Sequence, residues 1–187
     1  MTIDVRRSRP EDHAAILTLM DQSRGEGLSD EERARRGFVQ GQMTPGLLDR
    51  FQQGPGIFVA DAEGTLAGFA ITSEPTHLPP HHPATAAVSA VTEAADGRDL
   101  GRLVLYGPAA VDDHYQGRGI LTRLLTTLSR TLQDDYDLAV AFVETTNARS
   151  LAVHRHYGMT EAAHFTLGDR TYAAFTFSPA TFLTTGR

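Results

Sequence analysis

A glycine-containing stretch in the second half of the chain, residues 111–121, has the residue types and spacing to bind an anion. It follows an apolar run, Leu103–Val111, and precedes leucines at helical spacing, so it is predicted to link a strand to a helix. The first turn of a helix carries unpaired amide N–H groups and the positive end of the helix dipole, which together suit a pyrophosphate. The two commoner phosphate loops, GxGxxG and GxxxxGKS/T, are absent, and the spacing here is Gln116-x-x-Gly119-x-Leu121. A turn that merely uses its glycines is the alternative interpretation.

Two titratable side chains, Glu144 and His154, stand in a second motif. Glu144 ends an apolar strand pattern, Leu138–Val143, and Asn147 is placed to cap the helix that follows, with His154 one turn beyond Ser150. A carboxylate at the strand end could take a proton from a substrate, and an imidazole with an ordinary pKa near ~6.5 could donate one at neutral pH. The structural alternatives are an exposed strand-end acid and a polar residue at the edge of a core-facing stripe.

Both motifs resemble those of the GCN5-related N-acetyltransferases. The first is similar to the Q/R-x-x-G-x-G/A loop with which that family holds the pyrophosphate of acetyl-coenzyme A (acetyl-CoA). The second, Asn147–Met159, is similar to the family's N-x-x-A/S-x-x-F/L/V-Y/H-x-x-x-G-F/M helix, which flanks the pantetheine arm. The resemblance implies the family's fold nearly end to end and acetyl-CoA as co-substrate. It also implies a set of cofactor-binding residues: Gln116, Gly117, Arg118, Gly119, Ile120, Leu121, Asn147 and Ser150.

A proline in the central strand fits the same interpretation. Gly107-Pro108 marks a bulge or an edge, because proline cannot donate a hydrogen bond to a neighbouring strand. A bulge would let this strand splay from Leu138–Val143. The gap would then leave backbone groups of Ala109 and Val111 free to bind an amide-bearing ligand such as pantetheine.

Three positions depart from the family pattern. The final small residue of the loop is Leu121 here, and its side chain is therefore expected to point into the helix–sheet core. His154 stands where many relatives hold a tyrosine thought to protonate the leaving thiolate, so it is the candidate general acid. No Glu or Asp lies between Arg102 and Val111, where many relatives keep a general base, and Glu144 is the candidate base instead. Lesser candidates are Tyr106, Glu74 and Asp112.

Composition limits the class of protein. The 187 residues are enough for one domain with a sizeable core, and 17 basic against 23 acidic residues give a net charge of −6. That balance argues against a nucleic-acid or membrane-surface role driven by bulk charge. The absence of cysteine excludes disulfides, thiolate–zinc sites and a cysteinyl acyl-enzyme. The N-terminus has no signal-peptide apolar core and no apolar run reaches membrane length, so a cytoplasmic location is expected.

The order of predicted elements indicates one domain, residues 1–187, of α/β (α+β) class. A strand at residues 3–7, a helix ending near Gln22 and two short helices come first, followed by a hairpin over residues 56–72. Strand–helix–strand–helix and a final hairpin complete a mixed, mostly antiparallel central sheet flanked by helices, with splayed central strands. Residues 74–101 form a long insertion, predicted to be a lid, in which an alanine-rich segment could be helical.

Three histidines in this insertion, His77, His81 and His82, suggest a metal site. Adjacent residues on a proline-bent loop rarely converge on one ion, and no carboxylate shares their spacing. We therefore predict no metal.

The sequence predicts an N-acetyltransferase that transfers an acetyl group from acetyl-CoA to a primary amine by direct attack within a ternary complex. A small-molecule or peptide amine is the predicted partner. One alternative is a non-catalytic acyl-CoA-binding sensor of the same fold, and another is an interaction domain in which the glycine loop is only a turn. The identity of the amine, the acyl-chain preference and the formation of a homodimer are left open.

Overall fold

A seven-stranded sheet forms the centre of the protein. The computed structural model describes residues 2–185, with the backbone alone for His77 and residues 183–185. The strands are β1 (Ile3–Arg7), β2 (Gly56–Ala62), β3 (Thr65–Ser73), β4 (Leu103–Val111), β5 (Leu138–Glu144), β6 (Thr160–Leu167) and β7 (Arg170–Phe177). Their spatial order is β1-β2-β3-β4-β5-β7-β6, and every neighbouring pair is antiparallel except β4 and β5. The predicted mixed, mostly antiparallel sheet is confirmed.

Helices cover both faces of this sheet. They are α1 (His13–Gln22), α2 (Asp30–Arg36), α3 (Pro45–Gln53), α4 (Pro83–Ala94), α5 (Ile120–Leu132), α6 (Ala148–His156) and α7 (Pro179–Thr185). Helices α5, α6 and α7 pack on one face, called the α5 face here, while α1, α3 and α4 pack on the other, the α1 face. None of the helices in residues 2–185 is both long enough and apolar enough to span a membrane.

Alternation along β5 shows how side chains divide between the two faces. Ala139, Ala141 and Val143 join the core beneath α5, whereas Val140 and Phe142 join the cluster beneath α4. A continuously apolar strand is expected when both faces are covered. The prediction that this strand is buried on both sides is therefore confirmed.

The pattern of leucines in α5 produces its buried stripe. Five of its apolar side chains are at most 2% exposed: Ile120, Leu124, Leu125, Leu128 and Leu132. Burying each such side chain contributes roughly 1.5–3 kcal/mol. This stripe fixes α5 against β2, β3 and β4, and so fixes the loop that precedes the helix.

The two short helices between α1 and β2 begin at their predicted caps. The Ser29 hydroxyl accepts a hydrogen bond from the N–H of Glu32, and the Thr44 hydroxyl accepts one from the N–H of Leu47. The loop that joins the two helices, residues 37–44, lies beside the opening between β4 and β5.

A bulge and a fork interrupt the centre of the sheet. Residues 103–105 of β4 pair with residues 138–140 of β5, and the two strands have no paired residues beyond that point. On its other side, β4 places Gly107 and Pro108 opposite the single residue Ile71. Gly107 has a φ of 110°, a conformation that glycine adopts readily and residues with a side chain do not. The predicted bulge and splayed strands are both present.

The segment 74–101 differs from a continuous loop. Its central part is α4, which packs across β5, β6 and β7 and buries Ala84, Ala87 and Val91. Small side chains at helical spacing let the helix lie close to the sheet, so this part of the segment packs into the core. The role of residues 74–101 as a lid stays a prediction, and of these residues Leu78 and His82 face the opening.

Candidate active site

A cleft of about 1070 Å³ opens where β4 and β5 diverge. Its lining comes from both sides of the sheet, so the cleft passes from one face to the other. The α5-face half includes Tyr106, Ile120, Leu121, Val143, His154 and Tyr157. The α1-face half includes Leu19, Met20, Val39, Met43, Leu47, Phe51, Leu78, His82, Val140, Phe142 and Glu144.

Beyond residue 105, the edge of β4 that faces the fork pairs with no strand among the described residues. The Asp112 N–H donates to the Ala67 carbonyl at 3.0 Å, so the backbone of Asp112 points towards β3. Since hydrogen-bonding direction alternates along an antiparallel strand, the backbones of Ala109 and Val111 point the other way, towards the gap. The structure thus aims the two predicted residues at the cleft.

The loop before α5 presents a set of unpaired amides. Gly117 and Gly119 have φ angles of 74° and 70°, which turn the chain sharply into the helix. The N–H groups of residues 117–121 donate to no other residue within the described part of the chain. Unpaired amides at the positive end of a helix dipole form an anion-binding site.

The side chain of Gln116 braces this loop. Its Nε2 donates to Asp113 Oδ1 at 2.6 Å, and its Oε1 accepts from Arg149 Nη2 at 2.9 Å. Arg36 pairs with Asp113 at 2.7 Å on the exposed side. Because the Gln116 amide is engaged in this way, the predicted anion site relies on the backbone. Arg118 adds an exposed cation beside the loop.

Ile120 and Leu121 hold the first turn of α5 in place. Ile120 is buried in the core cluster, and Leu121 packs partly buried against the same cluster while one side lines the cleft. The larger residue at the family's small position therefore directs its side chain towards the core, as expected.

Asn147 both caps α6 and ties a second segment to it. Its Oδ1 accepts from the Ser150 N–H at 3.2 Å, and its Nδ2 donates to the Phe38 carbonyl at 2.8 Å. The residue is 3% exposed. Its amide is thus occupied inside the protein, and Asn147 shapes the cleft by holding loop 37–44, while Ser150 lines it.

Glu144 lies at the end of β5 and is 9% exposed. Its carboxylate accepts a hydrogen bond from Gln40 Nε2, another from Thr146 Oγ1 at 2.6 Å, and an ion-pair contact from Arg170 at 3.3 Å. Glu144 follows Phe142 by two residues, so its side chain lies on the α1 face.

His154 stands on the opposite face. Its ring lies between Tyr106 and Phe175, with centroids 6.1 and 5.0 Å away. Burial lowers the pKa of His154 below the ordinary value, and Nδ1 lies 2.8 Å from the Ser150 carbonyl oxygen. Because a carbonyl can only accept, Nδ1 carries the proton, and the neutral ring leaves Nε2 without one. The predicted acid role is therefore disfavoured by the ring's surroundings.

The family model described as "Acetyltransferase (GNAT) family" matches residues 19–159. The chain belongs to the GNAT acetyltransferase family. None of the curated proteins matches it.

Solved structures share the fold at low identity. An N-acetyltransferase from Staphylococcus aureus Mu50 is 18% identical, with a TM-score of 0.60 over 96% of this chain and 99% of that chain. YncA from Salmonella typhimurium, solved with its cofactor acetyl-CoA, is 16% identical, with a TM-score of 0.57 over 96% and 95%. The ribosomal-protein-S18-alanine N-acetyltransferase from Escherichia coli is 17% identical, with a TM-score of 0.54 over 95% and 94%.

Two polar residues of this GNAT cleft were not predicted to lie there: Gln40, and His82, which the sequence suggested only as a metal ligand. Gln40 reaches Glu144 from loop 37–44, and no local pattern around it indicates that contact. His82 caps α4, since its Nδ1 accepts from the Ala84 N–H at 3.1 Å, and its ring stands edge-on to Phe142. Its place just before a proline at the first helical position is an N-cap signal that could have identified it.

Two of the three lesser candidates lie in the cleft and one lies outside it. Tyr106 and Asp112 line the cleft, whereas Glu74 accepts a hydrogen bond from the Tyr136 hydroxyl at 3.1 Å outside it. No group of three or more His, Asp or Glu side chains suited to a metal occurs in the described part of the chain. Of the three histidines considered, the His77 side chain lies outside the described residues.

Proposed function

We propose that this GNAT family member is an N-acetyltransferase that moves an acetyl group from acetyl-CoA to a primary amine. One observation carries the proposal: a fork between β4 and β5, edged by the free backbone groups of Ala109 and Val111, lies beside the unpaired amides that begin α5. Acetyl-CoA contains both chemical groups that this arrangement suits, a diphosphate and an arm with two amides.

Each part of the fork has a proposed partner in acetyl-CoA. The N–H groups of residues 117–121 would bind the pyrophosphate, with Arg118 as a nearby cation. The free edge of β4 at Ala109 and Val111 would bind the pantetheine amides in the manner of an added strand. Ser150 would flank the arm from α6. The yncA structure, which contains acetyl-CoA, supports this assignment through its shared fold.

Val111 would also stabilise the transition state. When an amine attacks a thioester, negative charge develops on the carbonyl oxygen, and a fixed backbone N–H next to it lowers the barrier. Loss of one such donor costs about 2.7–4 kcal/mol in enzymes where it has been removed. The Val111 amide points into the gap, where the thioester would lie.

Glu144 would receive the proton that the amine must lose. The amine nitrogen forms a bond to the carbonyl carbon, the carbon–sulfur bond breaks, and the sulfur leaves with the electron pair. The nitrogen then releases a proton, and the Glu144 carboxylate takes it directly or through water. For this the Gln40 amide must leave the carboxylate, while the Arg170 contact keeps it oriented.

His154 would position the arm rather than protonate the sulfur. Burial lowers the pKa of His154 and so favours the neutral ring, whose Nδ1–H donates to the Ser150 carbonyl. We therefore assign the thiolate's proton to solvent. Holding both reactants in line supplies much of the rate without a covalent enzyme intermediate, and the absence of cysteine excludes a cysteinyl one.

The test is release of CoA in the presence of an amine. Because the chain has no cysteine, a thiol reagent detects free CoA without any signal from the protein. Thiol release that depends on both acetyl-CoA and an amine, with the acetylated amine identified by mass spectrometry, is the expected result. Thiol release that is indifferent to the amine would refute amine transfer.

One observation favours a second candidate, a non-catalytic acyl-CoA sensor. The carboxylate of Glu144 is already bound by Gln40, Thr146 and Arg170, and burial of His154 lowers its pKa and so disfavours its charged form. Tight binding of acetyl-CoA by calorimetry, with no transfer to any amine in a broad panel, would select this alternative. A cytoplasmic location stays a prediction.

A further inference from the structure

We infer that the acceptor is a primary amine attached next to a bulky apolar group. This inference rests on the proposed function, because it concerns the half of the same cleft that lies on the α1 face. There the lining is mostly apolar and ends at a carboxylate, Glu144.

The apolar lining keeps exposed surface for a ligand. Val39, Met43, Leu47, Leu78 and Phe142 are each only partly buried, although all five pack against the hydrophobic clusters of the α1 face. A ligand that covered them would remove this apolar area from water, which favours binding. A methionine at the site can adjust its shape to differing apolar groups.

Charge in this half is sparse. Glu144 is its carboxylate and is in contact with Arg170, and His82 is a histidine whose pKa burial lowers below the ordinary value. The ring of His82 also stands edge-on to Phe142, so it extends the apolar wall. An acceptor with a second cation would have to bury that charge without a partner, which is costly. Polyamines and multiply charged sugars therefore fit this half poorly.

Gln40 marks where the amine would bind. Its side-chain N–H donates to Glu144, and an amine N–H or ammonium makes the same kind of contact with a carboxylate. An amine that displaced Gln40 would sit at the fork, with its body extending towards Leu47 and Phe51 of α3. The amine would therefore lie at Glu144, and the apolar group attached next to it would lie against the wall that leads to α3.

The first experiment compares matched acceptors. Leucinamide and glycinamide differ only in the apolar side chain, and lysinamide adds a second cation. We expect kcat/KM to be about tenfold to a hundredfold higher for leucinamide than for glycinamide, with lysinamide at or below glycinamide. Equal values, or a preference for lysinamide, would overturn the inference.

Two further arms identify the source of such an amine. Phenethylamine represents free small molecules, and a short peptide beginning with leucine represents protein N-termini. A higher kcat/KM for either supports an apolar amine and indicates its source. Values for both at or below that of glycinamide would overturn the inference.

A pair of variants tests the location. Leu47 and Leu17 are both partly buried against the same cluster, but Leu47 lines the cleft and Leu17 does not. Leu47→Asp is expected to abolish the preference for leucinamide and to improve lysinamide, while Leu17→Asp keeps the wild-type order. If both variants kept the wild-type order of acceptors, the apolar group could not bind at Leu47, and the proposed location would be refuted.

Calorimetry separates this inference from the proposed function. Binding of each amine to the CoA-loaded protein ranks the acceptors even if no acetyl group is transferred. Absence of transfer with leucinamide bound more tightly than glycinamide would refute the enzyme and support the apolar site. Transfer to all the amines with equal affinities and equal kcat/KM values would support the enzyme and refute the apolar site.

Discussion

The anion site before α5 can be tested at Gly119 with two substitutions of equal shape. Gly119 has left-handed backbone angles, φ 70° and ψ 17°, and a Cβ added there meets no atom within 4 Å. The left-handed conformation costs an L-residue about 1–2 kcal/mol, with Asn and Asp the most tolerant side chains. Gly119→Asn and Gly119→Asp share that backbone cost and differ only in charge. Their difference in CoA affinity therefore isolates electrostatics.

The magnitude follows from the position of the added carboxylate. Gly119 is exposed, so a dielectric constant between about 40 and 80 is appropriate, and a separation of about 6 Å from a bound diphosphate is reasonable for a side chain on the loop. Coulomb's law then gives roughly 0.7–1.4 kcal/mol for each of the two phosphate charges. The total, about 1.4–2.8 kcal/mol, corresponds to roughly tenfold to hundredfold weaker binding.

Isothermal titration of CoA into both variants is the assay, with circular dichroism to confirm that each is folded. The penalty of Gly119→Asp relative to Gly119→Asn should shrink as salt is raised, because screening weakens an exposed repulsion. Equal affinities for the two variants at low salt would refute the assignment of the diphosphate to this loop.

Three other predictions concern proton transfer, pH and the core. Glu144→Gln should lower kcat with CoA affinity unchanged, and an unchanged kcat would exclude Glu144 as the base. The pKa of His154 is lowered chiefly by burial from the ordinary 6.5, so the unfolded chain takes up the proton first and stability falls as pH drops below that value. Thermal melts between about pH 5 and pH 8 should show a shallower decline in His154→Gln than in wild type, with His156→Gln, an exposed residue of the same helix, as the control that keeps the wild-type slope. A slope unchanged in both would contradict this account. Leu128→Ala, at a fully buried position of α5, should reduce the free energy of unfolding by about 2–5 kcal/mol in a urea titration, and a loss below about 1 kcal/mol would indicate that the site is not packed as described.

The local patterns of the sequence were sufficient for most elements. Ser29 and Thr44 begin helices where their capping patterns indicated, and the helical spacing of leucines identified α5. Pro108 indicated the bulge because a missing N–H is a local property that every neighbouring strand must accommodate. Such signals depend on a few adjacent residues, and for this reason they are readable without a structure.

The interior of the cleft depends on contacts that are distant in sequence. Gln40 and Glu144 are separated by 104 positions, and Phe38 and Asn147 by 109. Nothing in the residues around Gln40 requires it to meet a carboxylate, because the folding of the whole sheet brings them together. The protonation state of His154 likewise depends on burial by Phe175 and Tyr106, which belong to β7 and β4. The sequence could therefore indicate Glu144 and His154 as candidates, but it could not predict the hydrogen-bond partner of Glu144 or the protonation state of His154.

The cleft that passes through the sheet between β4 and β5 has a kinetic consequence. With Glu144 on one surface and the amides that begin α5 on the other, donor and acceptor would approach from opposite directions and would not obstruct each other's path. Either could then arrive first, and initial-velocity plots should give intersecting rather than parallel lines. Free CoA could leave while the acetylated amine is still bound. CoA should therefore inhibit competitively against acetyl-CoA but not against the amine.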